Sequence, residues 1–228
     1  MYKAVIFDAF GTLISTGTGS VDATQKILDR SGSDIYARSF YAHWKRLHNI
    51  YTKCENGFLT EEKLFALELK WLYEYYGICS DYRADVHIML DSRYHRKAFD
   101  DSLASLDYLR RFYQVYIGSN TDTEPLLQNL RNNGIYVDGV FTSESLRVYK
   151  PDIRFYRSIL EHIQREPSEV VFIGDSLVDD VLGPQRAGIP AILLDRTHTY
   201  DPDTSDIKPE RVIGALPRGR LEGEIHSQ

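Results

Sequence analysis

No apolar stretch in this chain approaches the ~20 residues needed to cross a bilayer. No run of Lys and Arg stands out, and the net charge is −6, so electrostatics give no support to a nucleic-acid or anionic-membrane partner. An acidic chain can still hold a phosphate, because a local site can be positive inside a negative whole. Cysteine is scarce: Cys54 and Cys79 stand apart with no CxxC spacing and read as ordinary reduced thiols. The first residues run straight into a short apolar segment without a signal-peptide core, so the expected setting is cytoplasmic. None of the seven His residues shows a metal spacing such as HExxH, which argues against a zinc site. Internal repeats and low-complexity segments are also lacking.

What is present is a chain of 228 residues, 43% hydrophobic, long enough for one sizeable core or a core with a smaller appendage. Short, nearly continuous apolar runs recur at Ala4 to Phe7, Val115 to Gly118, Gly139 to Thr142, Val170 to Ile173 and Ala191 to Leu194. Runs that do not alternate suit strands buried on both faces of a parallel sheet. Helical patterns lie between the later ones. Leu103, Leu106 and Leu109 share one face; Leu126, Leu127 and Leu130 follow, with Gly134 as a stop. Pro151 suits the first position of a helix carrying Ile153, Tyr156, Ile159, Leu160 and Ile163.

The stretch 16–97 breaks this alternation and offers four helical segments, roughly 20–31, 36–52, 60–76 and 81–96. Thr60 is placed to begin the third, with Glu61 and Glu62 in its first turn, Phe65, Leu69 and Leu72 as its inner stripe and Gly77 at its end. The expected fold is therefore α/β: a doubly wound, mostly parallel sheet with an inserted helical bundle. Residues 1–15 and 98–228 would form a discontinuous core and 16–97 the helical insertion. The tail from about 196, with Pro202, Pro209 and Pro217, has the weakest pattern.

Four segments place polar groups just past the expected strands, the edge at which open α/β sheets bind ligands. They are Asp8-Ala9-Phe10-Gly11-Thr12, Ser119-Asn120-Thr121-Asp122, Lys150-Pro151-Asp152 and Gly174-Asp175-Ser176-Leu177-Val178-Asp179-Asp180. Alone, Asp8 or Ser119 would read as a turn former and Lys150 as a solvated loop residue. In this order and spacing they resemble motifs I to IV of the haloacid dehalogenase (HAD) superfamily, over essentially the whole chain, with the inserted helices resembling that family's C1-type cap and its Rossmann-like core around them.

The resemblance implies roles. Asp8 would be the nucleophile that becomes a covalent aspartyl intermediate, Ser119 the hydroxyl on the transferring phosphoryl group, and Lys150 the neutralising cation. Asp8, Asp175, Asp180 and the Phe10 backbone carbonyl would hold Mg²⁺, with Asp179 the alternative to Asp180. Thr12 and Asn120 stand beside these groups as substrate-contacting residues, and Thr12 reads equally well as structural. A carboxylate attacks a phosphate dianion poorly because both are negative; a lysine and a hard divalent cation relieve that repulsion. Without a cation, two carboxylates about 4 Å apart repel by ~4 kcal/mol at an effective dielectric of 20.

One position departs from the pattern. Phosphatases of this family carry a second Asp two residues after the nucleophile, where this chain has Phe10. Phenylalanine can neither protonate a leaving oxygen nor activate water. An aromatic there resembles the family's 2-haloacid dehalogenases, which attack carbon and need no metal, but those replace the Gly-Asp pair that this chain keeps as Gly174-Asp175. The expectation is a Mg²⁺-dependent hydrolase of a small phosphorylated molecule, biased towards good leaving groups unless Asp122 or a cap residue supplies the proton. A dehalogenase, a C–P bond-cleaving enzyme using a cap lysine (Lys26, Lys45 or Lys53), and a low-activity metal- or phosphate-binding protein are the alternatives. The aromatic-rich cap (Trp44, Trp71, Tyr73, Tyr75, Tyr76) suits internal packing or a homodimer surface.

Overall fold

Half of the residues in the apolar runs are β-branched, and each run is a strand in the computed structural model, which describes residues 1–53 and 57–221. Cys54 and residues 222–228 lie outside the described residues; Cys79 is an exposed free thiol. In chain order the elements are β1 (Ala4–Phe7), α1 (Gly19–Ser31), α2 (Ala37–Tyr51), α3 (Glu61–Tyr76), α4 (Tyr82–Asp91), α5 (Ser102–Leu109), β2 (Gln114–Ser119), α6 (Thr123–Asn132), β3 (Gly139–Thr142), α7 (Ser143–Leu146), α8 (Ile153–Ile163), β4 (Val170–Gly174), α9 (Gly183–Arg186), β5 (Ala191–Leu194) and β6 (Arg211–Ile213). A π-helical segment, Leu177–Leu182, links β4 to α9. Among the described residues no helix is long and apolar enough to cross a membrane.

The sheet is parallel throughout, in the order β3-β2-β1-β4-β5-β6. Val5 stands between Val115 and Val171 in register. Successive side chains point to opposite faces. Val5 and Phe7 therefore join Val115, Ile117, Val171 and Ile173 under α5 and α6, while Ala4 and Ile6 join Tyr116, Val170 and Phe172 against Phe155, Tyr156 and Ile159 of α8. Both faces are covered, which is why the strands carry no polar alternation. The chain moves from β1 outward to β3 and then returns to β4 on the other side, so the crevice past the ends of β1 and β4 is the switch point of this doubly wound, Rossmann-like order.

The inserted helices build their own apolar cluster from Ile27, Leu28, Phe40, Trp44, Leu69, Leu72, Val86 and Met89. The chain leaves and re-enters the sheet layer through a paired stem, in which Ser15 N donates to Lys97 O and Phe99 N to Leu13 O. Gly77, in the left-handed region at φ 67°, ends α3 as the sequence indicates.

Several local expectations fail. Leu103 is 44% exposed and only Leu106 and Leu109 of that trio are buried. Pro151 lies before α8, joined to Lys150 by a cis peptide bond, and the Asp152 carboxylate caps the helix by accepting from Arg154 N. Thr60 precedes α3 but its hydroxyl caps nothing; the Asp122 carboxylate accepts from Glu61 N instead. The fourth helix of the insertion, expected to reach 96, stops at Asp91, and Arg93 turns inward to a buried ion pair with Glu61 (2.6 Å). β6, a three-residue edge strand in the weakly patterned tail, is an addition that the sequence reading lacks.

Asp85 is the polar anchor of the helical layer. It is fully buried and accepts from Tyr73 Oη (2.7 Å), Ser80 Oγ (2.8 Å) and Arg30 Nε (2.8 Å). Burial alone would raise its carboxyl pKa, but these three donors outweigh it and hold the group below its ordinary value. Such a group contributes stability above its unfolded pKa and loses it as pH falls through the folded value. Asp85→Ala is expected to cost about 3 kcal/mol at neutral pH. In urea unfolding the gap between variant and wild type should narrow below about pH 4; a gap independent of pH would contradict an ionised anchor.

Candidate active site

The four polar segments converge at the switch point. Asp8 continues the ladder of β1, its N–H donating to Ile173 O, so its side chain emerges at the strand end. Ser119 closes β2 and donates to Asp8 Oδ1 (3.3 Å). Lys150 Nζ reaches the same Oδ1 (2.8 Å) and Asp180 Oδ1 (2.7 Å). Asn120 pins the lysine backbone from both sides, its amide donating to Lys150 O (3.1 Å) and its carbonyl oxygen accepting from Lys150 N (2.7 Å). The Asn120 side chain thus positions Lys150, while the residue also lines the cavity described below.

Asp175 follows β4 and takes a hydrogen bond from Thr12 Oγ1 (3.2 Å). Thr12 is fully buried and does not line the cavity, so its observed part is to orient Asp175. Gly11, at φ +103°, holds a backbone conformation that side chains resist, and a Cβ there would run into the Asp175 carboxylate. A Cβ on Gly174 would likewise meet the Asp180 carboxyl group. Asp180 is folded back by the π-helical segment so that its Oδ2 accepts from Ser176 N (2.9 Å). Asp179 also lines the cavity described below but is not among the three clustered carboxylates: its backbone carbonyl accepts from Tyr156 Oη, and its Oδ1 is buried with no hydrogen-bond partner.

Asp8, Asp175 and Asp180 each offer a carboxylate oxygen, all within 4.8 Å of one another. With Lys150 among them, three carboxylates and one ammonium leave a formal surplus of two negative charges. The surplus shows in the titration. Burial first, and then the Asp8 charge, push the Asp175 carboxyl up to about 6. Burial with repulsion from Asp8 and Asp175 drives Asp180 upward despite Lys150, while Asp180 and Asp8 hold the lysine proton above its ordinary range against the effect of burial. A hard divalent cation with oxygen ligands matches both the donor set and the surplus. No described group donates to the Phe10 carbonyl, whereas the Ala9 carbonyl accepts from Leu13 N and Ile14 N.

The carboxylates open into a cavity of ≈ 680 Å³, within the range of small-molecule sites. Its far wall comes from the helical layer and includes Tyr41, Lys45, His48 and Asn49 of α2. Phe10 lines it too, with the Arg96 guanidinium 4.6 Å from the ring centroid. Arg96 Nε is buried without a hydrogen-bond partner, and Lys45 and Lys53 add positive charge to the same walls. Asp122 does not line the cavity. Its carboxylate accepts from Glu61 N (3.0 Å) and Arg93 Nη1 (3.4 Å), while Glu61 accepts from Thr121 Oγ1 and Asp122 N, a clamp joining α3 to the loop after β2. Arg96, His48 with its partner Glu68, and this clamp escape sequence reading because their members lie tens of residues apart without a motif.

A family model for haloacid dehalogenase-like hydrolases matches residues 2–188. The chain is 30% identical to the glyceraldehyde 3-phosphate phosphatase of Methanothermobacter thermautotrophicus, with 85% of this chain and 86% of that protein covered. It is 27% identical to (S)-2-haloacid dehalogenase 1 of a Pseudomonas species, with 92% and 90% covered. Its fold matches a magnesium-bound structure of the HAD-hydrolase YfnB of Bacillus subtilis at a TM-score of 0.80, with 20% identity and 94% and 95% of the two chains covered.

Proposed function

This chain belongs to the haloacid dehalogenase-like hydrolase family, and from that premise we propose that it is a Mg²⁺-dependent hydrolase of a small phosphorylated molecule that works through an aspartyl-phosphate on Asp8. The relatives do not choose between phosphatase and dehalogenase, because both are among them. The observation that carries the choice is the surplus of two negative charges among Asp8, Asp175, Asp180 and Lys150. Attack on a carbon–halogen bond gains nothing from two extra carboxylates, the buried Asp180 and the more exposed Asp175, and their repulsion with Asp8 has to be offset. A divalent cation offsets it.

Asp8, Asp175, Asp180 and the Phe10 carbonyl would hold Mg²⁺, which when bound neutralises charge on the transferring group. The remaining roles fall to the chain itself. The Asp8 oxygen that is not held by Lys150 and Ser119 attacks phosphorus. Lys150 and Ser119 then carry the negative charge spread over the phosphoryl oxygens. Lys45, Lys53 and Arg96 attract an anionic substrate into the cavity. A cytoplasmic setting, in which Cys79 stays a thiol, belongs to the same reading.

Phe10 favours the second reading, a 2-haloacid dehalogenase, and one panel separates the two. Phosphate esters, acyl phosphates and 2-haloacids are each supplied with Mg²⁺ or with a chelator. Phosphate release that needs Mg²⁺ is expected, faster for aryl and acyl phosphates than for alkyl esters, whose leaving oxygen must gain a proton. Halide release unaffected by the chelator, with no phosphate release, would overturn the proposal.

A further inference from the structure

Phe10 leaves the site without an acid beside the nucleophile, and the groups facing the cavity narrow the search for another. Asp122 lies outside the cavity and is spent on the start of α3, Glu61 is tied to Arg93, and Asp179 belongs to the carboxylate segment after β4 that carries Asp175 and Asp180. Arginine keeps its proton at any working pH. His48 is different. It stands on the cavity side of α2, one turn from Trp44 and Lys45. Its Nδ1 meets Glu68 Oε1 at 2.9 Å. Glu68 is fully buried, and its other oxygen accepts from Trp44 Nε1 (2.8 Å). The carboxylate is thus fixed by a tryptophan on one side and fixes the imidazole on the other. Nε2 has no partner among the described residues, in a residue that lines the cavity with Asp8.

A cavity-lining histidine held through Nδ1 by a buried carboxylate, with Nε2 left unpartnered, is an arrangement suited to moving a proton at Nε2. In-line attack by Asp8 sends the leaving oxygen to the side opposite the nucleophile, into a cavity whose lining includes Tyr41, Lys45, His48 and Asn49 of α2. Water must later attack the phosphorylated aspartate from that same side. Resting on the phosphoryl-transfer reading above, we propose that His48, oriented by Glu68, is the proton donor to the leaving oxygen and then the base for the attacking water.

The atoms balance over two steps. As the Asp8 oxygen–phosphorus bond forms, the bond from phosphorus to the leaving oxygen breaks; that oxygen keeps the electron pair, takes the Nε2 proton and departs as an alcohol. The neutral imidazole then accepts a proton from water as the water oxygen bonds to phosphorus. The Asp8–phosphorus bond breaks, and inorganic phosphate, the Asp8 carboxylate and protonated His48 result. The charges around the ring favour the protonated form. Burial opposes it, but Glu68 and Glu61 on α3 and Asp122 past β2 outweigh burial and raise the imidazole pKa above 6.5. Lys45 on the same helix, Lys53 beyond it, and Arg93 and Arg96 after α4 are the cations lining the same cavity.

The test compares glycerol 3-phosphate, an alkyl ester, with p-nitrophenyl phosphate in wild type, His48→Asn and Glu68→Gln, all with Mg²⁺. Asparagine can still donate to Glu68, and thermal unfolding confirms that each variant is folded. His48→Asn is expected to slow alkyl-ester turnover by about 10²–10⁴-fold, while phosphorylation of Asp8 by the aryl ester, whose leaving group needs no proton, falls far less. Glu68→Gln should move the alkaline limb of the alkyl-ester pH profile to lower pH, because it removes the carboxylate that supports the imidazolium. An unchanged ratio of alkyl to aryl rates of Asp8 phosphorylation in folded His48→Asn, with active wild type, overturns the role of His48 alone. If wild type releases phosphate from neither ester and forms no phosphoenzyme, the parent reading fails and this role fails with it.

Discussion

Asp8→Asn is expected to lower turnover by on the order of 10⁴–10⁶-fold, the scale seen when a covalent nucleophile is removed from an intact site. The variant should nevertheless fold at least as well as wild type when no divalent cation is present. Asp8 sits within 4.8 Å of two other carboxylates with one lysine between them, so an amide at that position removes two repulsions and one attraction. Loss of activity with retained or higher unfolding temperature is the pattern of a site that trades stability for chemistry. If the variant instead loses several kcal/mol, Asp8 is a structural partner of Lys150 first, and the nucleophile reading weakens.

Lys150→Met reverses that pattern. The lysine is buried between Asp8 and Asp180, and its removal leaves two buried carboxylates facing each other without a counter-charge. A cost of about 3–5 kcal/mol at neutral pH follows from breaking a buried pair on one side only. The sign of the pH dependence is fixed. The lysine's pKa is raised by Asp180 and Asp8, so its contribution is complete below the unfolded lysine pKa and is lost only as pH rises through the folded value. In the variant the surviving carboxyl groups bind protons as pH falls, so the deficit should shrink in acid. Turnover should fall by about 10²–10³-fold because the charge on the transferring group loses its fixed cation. Urea unfolding of variant and wild type at neutral and acid pH, beside steady-state rates, checks both halves. A variant as stable as wild type at neutral pH would contradict the charge arrangement.

The strands were legible in the sequence because a parallel sheet covered on both faces favours short, nearly continuous apolar runs, and Gly139–Thr142 and Ala191–Leu194 carry the same bounds as the expectation. The candidate site was legible for a related reason: its groups follow strand ends at fixed short distances in the chain, so order and spacing stand in for geometry. Asp180 rather than Asp179 could not be decided that way. The choice depends on the π-helical segment that folds Asp180 back to Ser176 N and Lys150. Long-range pairs were also beyond reach. The start of α3 is capped by Asp122 instead of the adjacent Thr60, and His48 finds Glu68 only because α2 packs on α3. β6 was missed because three residues opening on an arginine at a sheet edge carry almost no periodic signal.

Phe10 now has a neighbour that the sequence did not show. Arg96 lies over its ring, so the position that holds a carboxylic acid in the family's phosphatases is closed by an aromatic–guanidinium pair. On the proposed reading, proton transfer then falls to another group lining the cavity, His48, which the buried Glu68 holds. The helical layer then shapes the cavity and completes the chemistry begun at the sheet edge.

The most direct measurement is the covalent state of Asp8 during turnover. Wild type and Asp8→Asn are mixed with an acyl phosphate and Mg²⁺, quenched in acid and examined by peptide mass spectrometry. A phosphate adduct is expected on the peptide containing Asp8 in wild type, none with chelator and none in the variant. Absence of that adduct, together with a carbon ester on Asp8 after exposure to a 2-haloacid in the presence of chelator, would contradict the aspartyl-phosphate reading.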